Sequence, residues 1–334
     1  MFKPIKVNPR PLHGGDLTSA TKEFGPPIDG WIDLSTGINA TCYPNTNVSA
    51  HAIRMLPTPG DIENLLHAAR QFYRVSRDSQ IIAAPGTQAI LQNLPLSHPN
   101  HKVAILSPTY SEHQRTWEQS GNEVIIANNF DALSKGTIAV LVNPNNPDGR
   151  RYKVNDLLKL SRNVQLLIVD EAFCDDSPEL SSVSSLPGHN IIVLRSLGKF
   201  FGLAGLRLGF LIGETNITKI IEERLGPWAV SGPAIEIGTR ALSDRTWFLA
   251  MRETLKSESR RLNELLANHR LKIIGGTDLF TLIETDAALN LYNFFGQAGI
   301  FVRRFENQLT WLRIGLPGTE VEWERLKNTL KRYR

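Results

Sequence analysis

Cysteine is scarce in this sequence: 334 residues contain two, Cys42 and Cys174, and neither has a cysteine or histidine neighbour at metal-ligand spacing. A disulfide framework and a cysteine-built zinc site are not indicated, and a reducing compartment fits. An excess of one charge is also lacking. Lys and Arg number 37 against 33 Asp and Glu, a formal net charge of +4, and the basic residues are scattered apart from short clusters such as Lys331-Arg332-Tyr333-Arg334. That balance is too small for a nucleic-acid footprint. No run approaches the roughly 20 apolar residues that cross a bilayer. Met1 to Gly15 mixes Lys, Pro and Arg with single apolar residues, without the continuous run of about 7–15 apolar residues that marks a secretory signal. The expectation is a cytoplasmic protein with neither nucleic acid nor membrane as a partner.

What is present is an ordinary globular composition, 41% hydrophobic and 21% charged. The length exceeds the usual ~100–200 residues of one domain. Residues 1–47, rich in Pro, Gly, Asn and Thr around Trp31–Leu34, show no sustained helical period and read as an extended arm. Asp61, after Pro59-Gly60, is taken as the N-cap of a helix carrying Ile62, Leu65, Leu66, Ala69 and Phe72. The runs Ile81–Ala83, Val103–Leu106, Val124–Ile126, Ile138–Val142, Leu166–Val169 and Ile191–Leu194 then alternate with amphipathic segments. Short aliphatic runs separated by helical patterns predict an α/β fold with a mostly parallel sheet covered on both faces. Beyond Arg224 come a long amphipathic helix over about Arg245–His269, strands at Leu271–Ile274, Leu279–Ile283, Ile300–Val302 and Trp311–Ile314, and a last helix from Glu320, a smaller α+β lobe. The expected division is an arm over 1–47 that contributes to the small domain and the active site, a large domain over 48–225 and a small domain over 226–334.

Five strand ends carry chemistry. Ile191–Leu194 delivers Ser196-Leu197-Gly198-Lys199, with Arg207 following in Gly205-Leu206-Arg207-Leu208-Gly209. A lysine directly after an apolar strand is partly desolvated, which favours the neutral amine that forms a Schiff base; a solvated loop lysine is the plainer reading of that motif alone. Ile81–Ala84 leads through Pro85-Gly86-Thr87 into a helix, a strand–turn–helix N-terminus that can hold a phosphate, or simply a cap. Leu166–Val169 ends in Asp170, a carboxylate at the edge where α/β sheets bind ligands, or a helix N-cap. Val140–Val142 empties into Asn143-Pro144-Asn145-Asn146-Pro147-Asp148-Gly149, where an amide can meet a ring hydroxyl or merely shape a turn. Ser107-Pro108-Thr109-Tyr110 follows Val103–Leu106, and the Tyr110 ring can stack on a flat heterocycle or belong to the core. A phosphate turn, a flat ring, an amide, a carboxylate and a lysine together match pyridoxal 5′-phosphate (PLP).

The order of these motifs resembles the fold-type I PLP-dependent aminotransferase superfamily from about His13 to Arg313. The resemblance implies a large domain with a mostly parallel central sheet and a smaller α+β C-terminal domain. It implies that Lys199 carries the cofactor, Asp170 pairs with its pyridinium, Asn146 binds its ring hydroxyl and Tyr110 stacks. Gly86, Thr87, Ser196 and Arg207 would hold the phosphate, and Arg313 in Leu312-Arg313-Ile314-Gly315 would take a substrate α-carboxylate. Longer strings, His13-Gly14-Gly15-Asp16, Ile32–Asn39 with Gly37, Asn143–Arg150, Arg195–Leu208 and Gly226–Ser231, are similar to the threonine-phosphate decarboxylases of cobalamin synthesis, themselves similar to histidinol-phosphate aminotransferases. This narrower likeness implies a dimeric enzyme that decarboxylates L-threonine O-3-phosphate to (R)-1-amino-2-propanol O-2-phosphate, with Gly37 and Asn146 beside the substrate. Phe173 and Leu56 depart from the broader pattern, each standing where many relatives carry a tyrosine.

On such a cofactor the Cα bond held perpendicular to the ring is the one that breaks, so substrate anchors choose the reaction. Arg313 for the carboxylate, with Arg303 and His13 for the phosphate, would hold the carboxylate perpendicular; Arg303 as a solvated strand-end charge and His13 as a turn residue are the plainer readings. Two rivals remain at this point: a histidinol-phosphate-like aminotransferase built on the same residues, and a binding or regulatory module without turnover. Lys199, and the lack of an appended DNA-binding segment, disfavour the second.

Overall fold

The computed structural model describes residues 13–333, so the first twelve residues of the expected arm lie outside it. A two-residue strand, β1 (Ile32–Asp33), is followed by the strands of the main sheet: β2 (Gln80–Ala84), β3 (Lys102–Leu106), β4 (Glu123–Ala127), β5 (Ile138–Val142), β6 (Leu166–Asp170), β7 (Ile191–Ser196) and β8 (Gly209–Gly213). Their order across the sheet is β2-β8-β7-β6-β5-β3-β4. The pairs from β7 through β4 are parallel, while β8 runs antiparallel to both β7 and β2. Every residue of β5 and β6 is buried, which is why these strands read as unbroken aliphatic runs: helices cover both faces. The parallel register sets Val142 beside Asp170 and Asp170 beside Leu194, so the loops after β5, β6 and β7 open at one edge.

The C-terminal strands are β9 (Lys272–Thr277), β10 (Phe280–Glu284), β11 (Ile300–Phe301), β12 (Arg303–Arg304) and β13 (Trp311–Gly315). Four of them form an antiparallel sheet in the order β12-β13-β10-β9, in which Arg303 pairs with Arg313. β11 pairs in parallel with β1, so the N-terminal segment is stitched to the C-terminal part of the chain. The long helix spans Arg245–Asn268 and is capped by Asp244, whose side chain accepts from Trp247 N.

Two expectations are corrected. The segment assigned wholly to an extended arm contains a helix, Leu17–Phe24, whose N-cap Asp16 accepts from Ser19 N and which ends at Gly25 with φ +81°. It packs against the helix Ala288–Gln297. The helix expected to start at Asp61 starts two residues earlier, at Pro59, with Thr58 as N-cap; Asp61 is the third helical residue and returns a bond to the Thr58 N–H, a capping box. β8 was not anticipated at all.

Candidate active site

The strand ends after β2, β3, β5, β6 and β7 converge with β13 and the N-terminal segment on one cleft. Lys199 follows β7, in a turn where the Ser196 hydroxyl accepts from Gly198 N at 3.1 Å. Its Nζ lies 5.4 Å from the centre of the Phe173 ring. Part of the residue's surface faces the cleft, but the amine is desolvated. Burial first, then the positive charge of Arg313 and, less, of Arg207, outweigh Asp170 and push the Lys199 pKa down to about 8. Asp170, Arg207 and Arg313 thus lie around the amine.

Asp170 ends β6 and is buried. One carboxylate oxygen accepts from Ala172 N at 3.0 Å, a local turn contact of the kind expected for a cap. The other lies 3.0 Å from Nε2 of His113, which is fully buried. A carboxylate held by an imidazole behind it is fixed in direction, as an ion-pairing partner for a cationic ring must be.

The candidate phosphate turn is built from two chain segments. Gly86 has φ +79°, and a Cβ there would come within 2.7 Å of the Arg207 guanidinium, so a side chain would displace the arginine from the turn. The helix Thr87–Ser97 starts at Gly86 without any side-chain cap, leaving first-turn N–H groups for an anion. Gly209 at the start of β8 admits Thr87: its Cβ would lie 2.7 Å from Thr87 N. The missed antiparallel strand is therefore what brings Arg207 to the turn.

Tyr110 precedes the helix Ser111–Gln119 and donates its hydroxyl to Gln88 Oε1 at 3.3 Å. Burial, with Glu112 and Asp170 nearby, pushes its pKa up to about 12, so the phenol stays neutral. Asn146 is tied to the other side of the cleft, its amide oxygen accepting from Arg313 Nη1. That leaves the Asn146 NH2 as the group able to donate to a ring oxygen. Gly37 has φ +61° and is pressed by Phe280, 2.9 Å from the position of a Cβ.

Arg313 is buried, and its Nη2 donates to the Ser35 carbonyl. No carboxylate among the described residues lies within ion-pairing distance of it. Burial and the neighbouring Arg303 lower its pKa to about 9, against a weaker opposing effect of Asp33. Arg303, half-buried on β12, is also lowered, mainly by burial. His13 places Nε2 3.4 Å from Oε1 of the buried Glu112, and its ring centre lies 5.8 Å from that of Tyr110. Phe173 is buried against Phe280, ring centres 5.2 Å apart, whereas Leu56 stands exposed.

Sequence reasoning missed His113, Glu112 and Gln88. The signal for His113 was available: a helix capped at Tyr110 sets a residue three positions on over the same face.

A desolvated amine, an oriented carboxylate, a capless helix N-terminus with an arginine, and a buried unpaired guanidinium fit a planar, phosphorylated carbonyl cofactor together with an anionic substrate. The sequence profile described as "Aminotransferase class I and II" matches residues 40–330. The threonine-phosphate decarboxylase of Pseudomonas aeruginosa is 38% identical over 327 residues, covering 95% of this chain and 96% of the relative. That of a Sinorhizobium species is 38% identical over 328 residues, covering 96% and 98%. The crystal structure of histidinol-phosphate aminotransferase from Sinorhizobium meliloti in complex with PLP shares the fold, with a TM-score of 0.81, 17% identity and 95% of each chain covered. The chain belongs to the aminotransferase class I and II family.

Proposed function

We propose that this protein is a PLP-dependent threonine-phosphate decarboxylase, releasing the carboxylate of L-threonine O-3-phosphate as carbon dioxide and leaving (R)-1-amino-2-propanol O-2-phosphate for cobalamin biosynthesis. The observation that carries the reading is the buried, unpaired Arg313 guanidinium set near the lowered amine of Lys199. A buried cation without a counter-charge costs several kcal/mol, and an anionic substrate offsets that cost. Full-length likeness to two proteins named threonine-phosphate decarboxylase supports the substrate.

The bound cofactor supplies a cationic ring that accepts the electron pair of the broken Cα bond. Lys199 provides the amine that carries the cofactor and the proton that Nζ returns to Cα after carbon dioxide leaves. Asp170, held by His113, keeps the ring nitrogen protonated. Gly86, Thr87, Ser196 and Arg207 would hold the cofactor phosphate, Tyr110 would stack on its ring and Asn146 would donate to its ring hydroxyl. Arg313, steadied by Asn146 and Ser35, grips the substrate carboxylate, Gly37 gives the close approach, and Arg303 with His13 receives the substrate phosphate. Two anchors at opposite ends of a small molecule fix its torsion and hence which Cα bond faces the ring.

The working unit is a homodimer in the cytoplasm, with an arm over 1–47 and domains over 48–225 and 226–334. Exposed Ile53, Met55 and Leu56 beside a cleft of about 350 Å3 support an apolar subunit contact. Among the described residues no helix is long and apolar enough to cross a membrane.

The test is product analysis. The holoenzyme with threonine phosphate should release carbon dioxide in stoichiometric yield. Conversion of the cofactor to pyridoxamine phosphate by an amino donor, with no carbon dioxide, would replace this reading by a histidinol-phosphate-like aminotransferase.

A further inference from the structure

Glu112 touches neither the expected cofactor position nor the substrate anchors at Arg303 and Arg313, yet it is a buried carboxylate at the rim of the cleft, its side chain 5% exposed. Three separate parts of the chain meet on it. His13, from the N-terminal segment, places Nε2 3.4 Å from Oε1. Gln88, one residue after the phosphate-turn Thr87, donates from Nε2 to Oε2 at 3.0 Å. Arg115, one turn along the helix Ser111–Gln119, donates from Nη1 to Oε2 at 3.3 Å.

A buried carboxylate needs a paired charge, and Arg115 already supplies one. The contacts to His13 and Gln88 are additional, and both lead into the site. Gln88 accepts the Tyr110 hydroxyl at 3.3 Å, and the His13 ring lies beside the Tyr110 ring. On its other side the N-terminal segment is held by Ser35, whose hydroxyl accepts from Gly15 N at 2.8 Å and whose carbonyl accepts from Arg313. His13 is thus suspended between Glu112 and Ser35, the residue whose carbonyl also holds Arg313.

We propose that Glu112 is a positioning residue for substrate binding: it holds the His13 imidazole toward the substrate phosphate and, through Gln88, fixes the Tyr110 ring. The inference rests on the reading of His13 as a phosphate contact. With Nε2 facing Glu112, Nδ1 remains for the phosphate, and an imidazolium bridging the two anions uses both of its N–H groups. A bare carboxylate at this rim would repel a phosphorylated substrate; the interposed imidazole turns the same charge into an orienting one.

A double-mutant cycle on the cofactor-loaded enzyme tests this with Glu112→Gln, His13→Ala and the pair. The readouts are KM and kcat for threonine phosphate, calorimetric affinity for inorganic phosphate, and amide hydrogen exchange over Gly14–Ser19. Glu112→Gln should weaken both phosphate-dependent constants about tenfold, the loss expected for one charge-assisted contact, with kcat within about twofold and faster exchange in the segment. Glu112→Asp should recover part of the affinity. In the His13→Ala background, Glu112→Gln should add almost nothing. If His13→Ala weakens phosphate binding while Glu112→Gln does not, or if the two losses multiply, Glu112 has no role through His13. If His13→Ala leaves phosphate affinity unchanged, the reading of His13 itself fails and the inference falls with it.

Discussion

Removing the Lys199 amine should make the ligand-free protein more stable at neutral pH, although it removes the group proposed to carry the cofactor. The midpoint of Lys199 lies at about 8 in the folded protein against 10.5 for an ordinary lysine, chiefly because the amine is desolvated and faces Arg313. That displacement corresponds to roughly 3 kcal/mol, and relaxation around the site brings the expected effect to on the order of 2–3 kcal/mol. Because the folded midpoint is depressed, the unfolded chain binds more protons between pH 8 and 10.5. The cost is therefore full below pH 8 and is relieved as the pH rises toward 10.5. Urea unfolding of the ligand-free wild type and of Lys199→Met at pH 7, 8.5 and 10 should show a Met advantage that shrinks with pH. Competitive labelling with an amine-selective reagent reads the same midpoint directly, and Lys199 should label far more readily at pH 7.5 than an unperturbed lysine. Parallel stability curves, or a labelling midpoint near 10.5, would refute the argument that burial and Arg313 prepare this amine.

Arg303→Ala should reduce the preference for threonine phosphate over free threonine about tenfold to hundredfold, the value of roughly 1.5–3 kcal/mol for a charge-assisted contact, while Arg313→Ala impairs both substrates alike; a kcat/KM comparison of the two variants on the two substrates reads this, and an unchanged ratio in Arg303→Ala removes Arg303 from the substrate site. Asp176 is buried beside Asp278, and desolvation, with the Asp278 charge, raises its pKa to about 7. The folded chain thus holds a proton that the unfolded chain has lost, and stability is lost as the pH rises from about 4 through 7. Asp176→Asn should melt at the wild-type temperature near pH 4 and higher at pH 8, by up to a few kcal/mol of stability; melting curves that stay parallel across that range would contradict it.

The middle of the central sheet was legible because β5, β6 and almost all of β7 are buried on both faces, and such burial leaves little but aliphatic residues to write. β8 escaped for a local reason. Gly209-Phe210-Leu211-Ile212-Gly213 begins two residues after Arg207, so the eye assigns it to the phosphate motif, and its antiparallel pairing breaks the βα alternation that located the other strands. The helix Leu17–Phe24 escaped for a long-range reason. It is two turns long, Ala20 is its one fully buried residue, and its packing partner lies some 270 residues further on. Such a helix is too short to be stable alone and exists through tertiary contact.

The candidate site divides along the same line. Residues that a strand delivers, Asp170, Lys199, Tyr110 and Asn146, could be named because the end of a parallel strand is a defined place at a defined sheet edge. What holds them is different in kind. Arg313 meets Asn146 across 167 positions and Ser35 across 278, and His113 meets Asp170 across 57. No spacing rule links such pairs, since each exists because two separately folded segments arrive at one point. The lowered amine of Lys199 depends on both levels: a strand end brings it to the cleft, and the distant Arg313 then shifts its charge balance. A motif therefore identifies which group acts, while the condition under which it acts at neutral pH is set by neighbours that only the folded chain supplies.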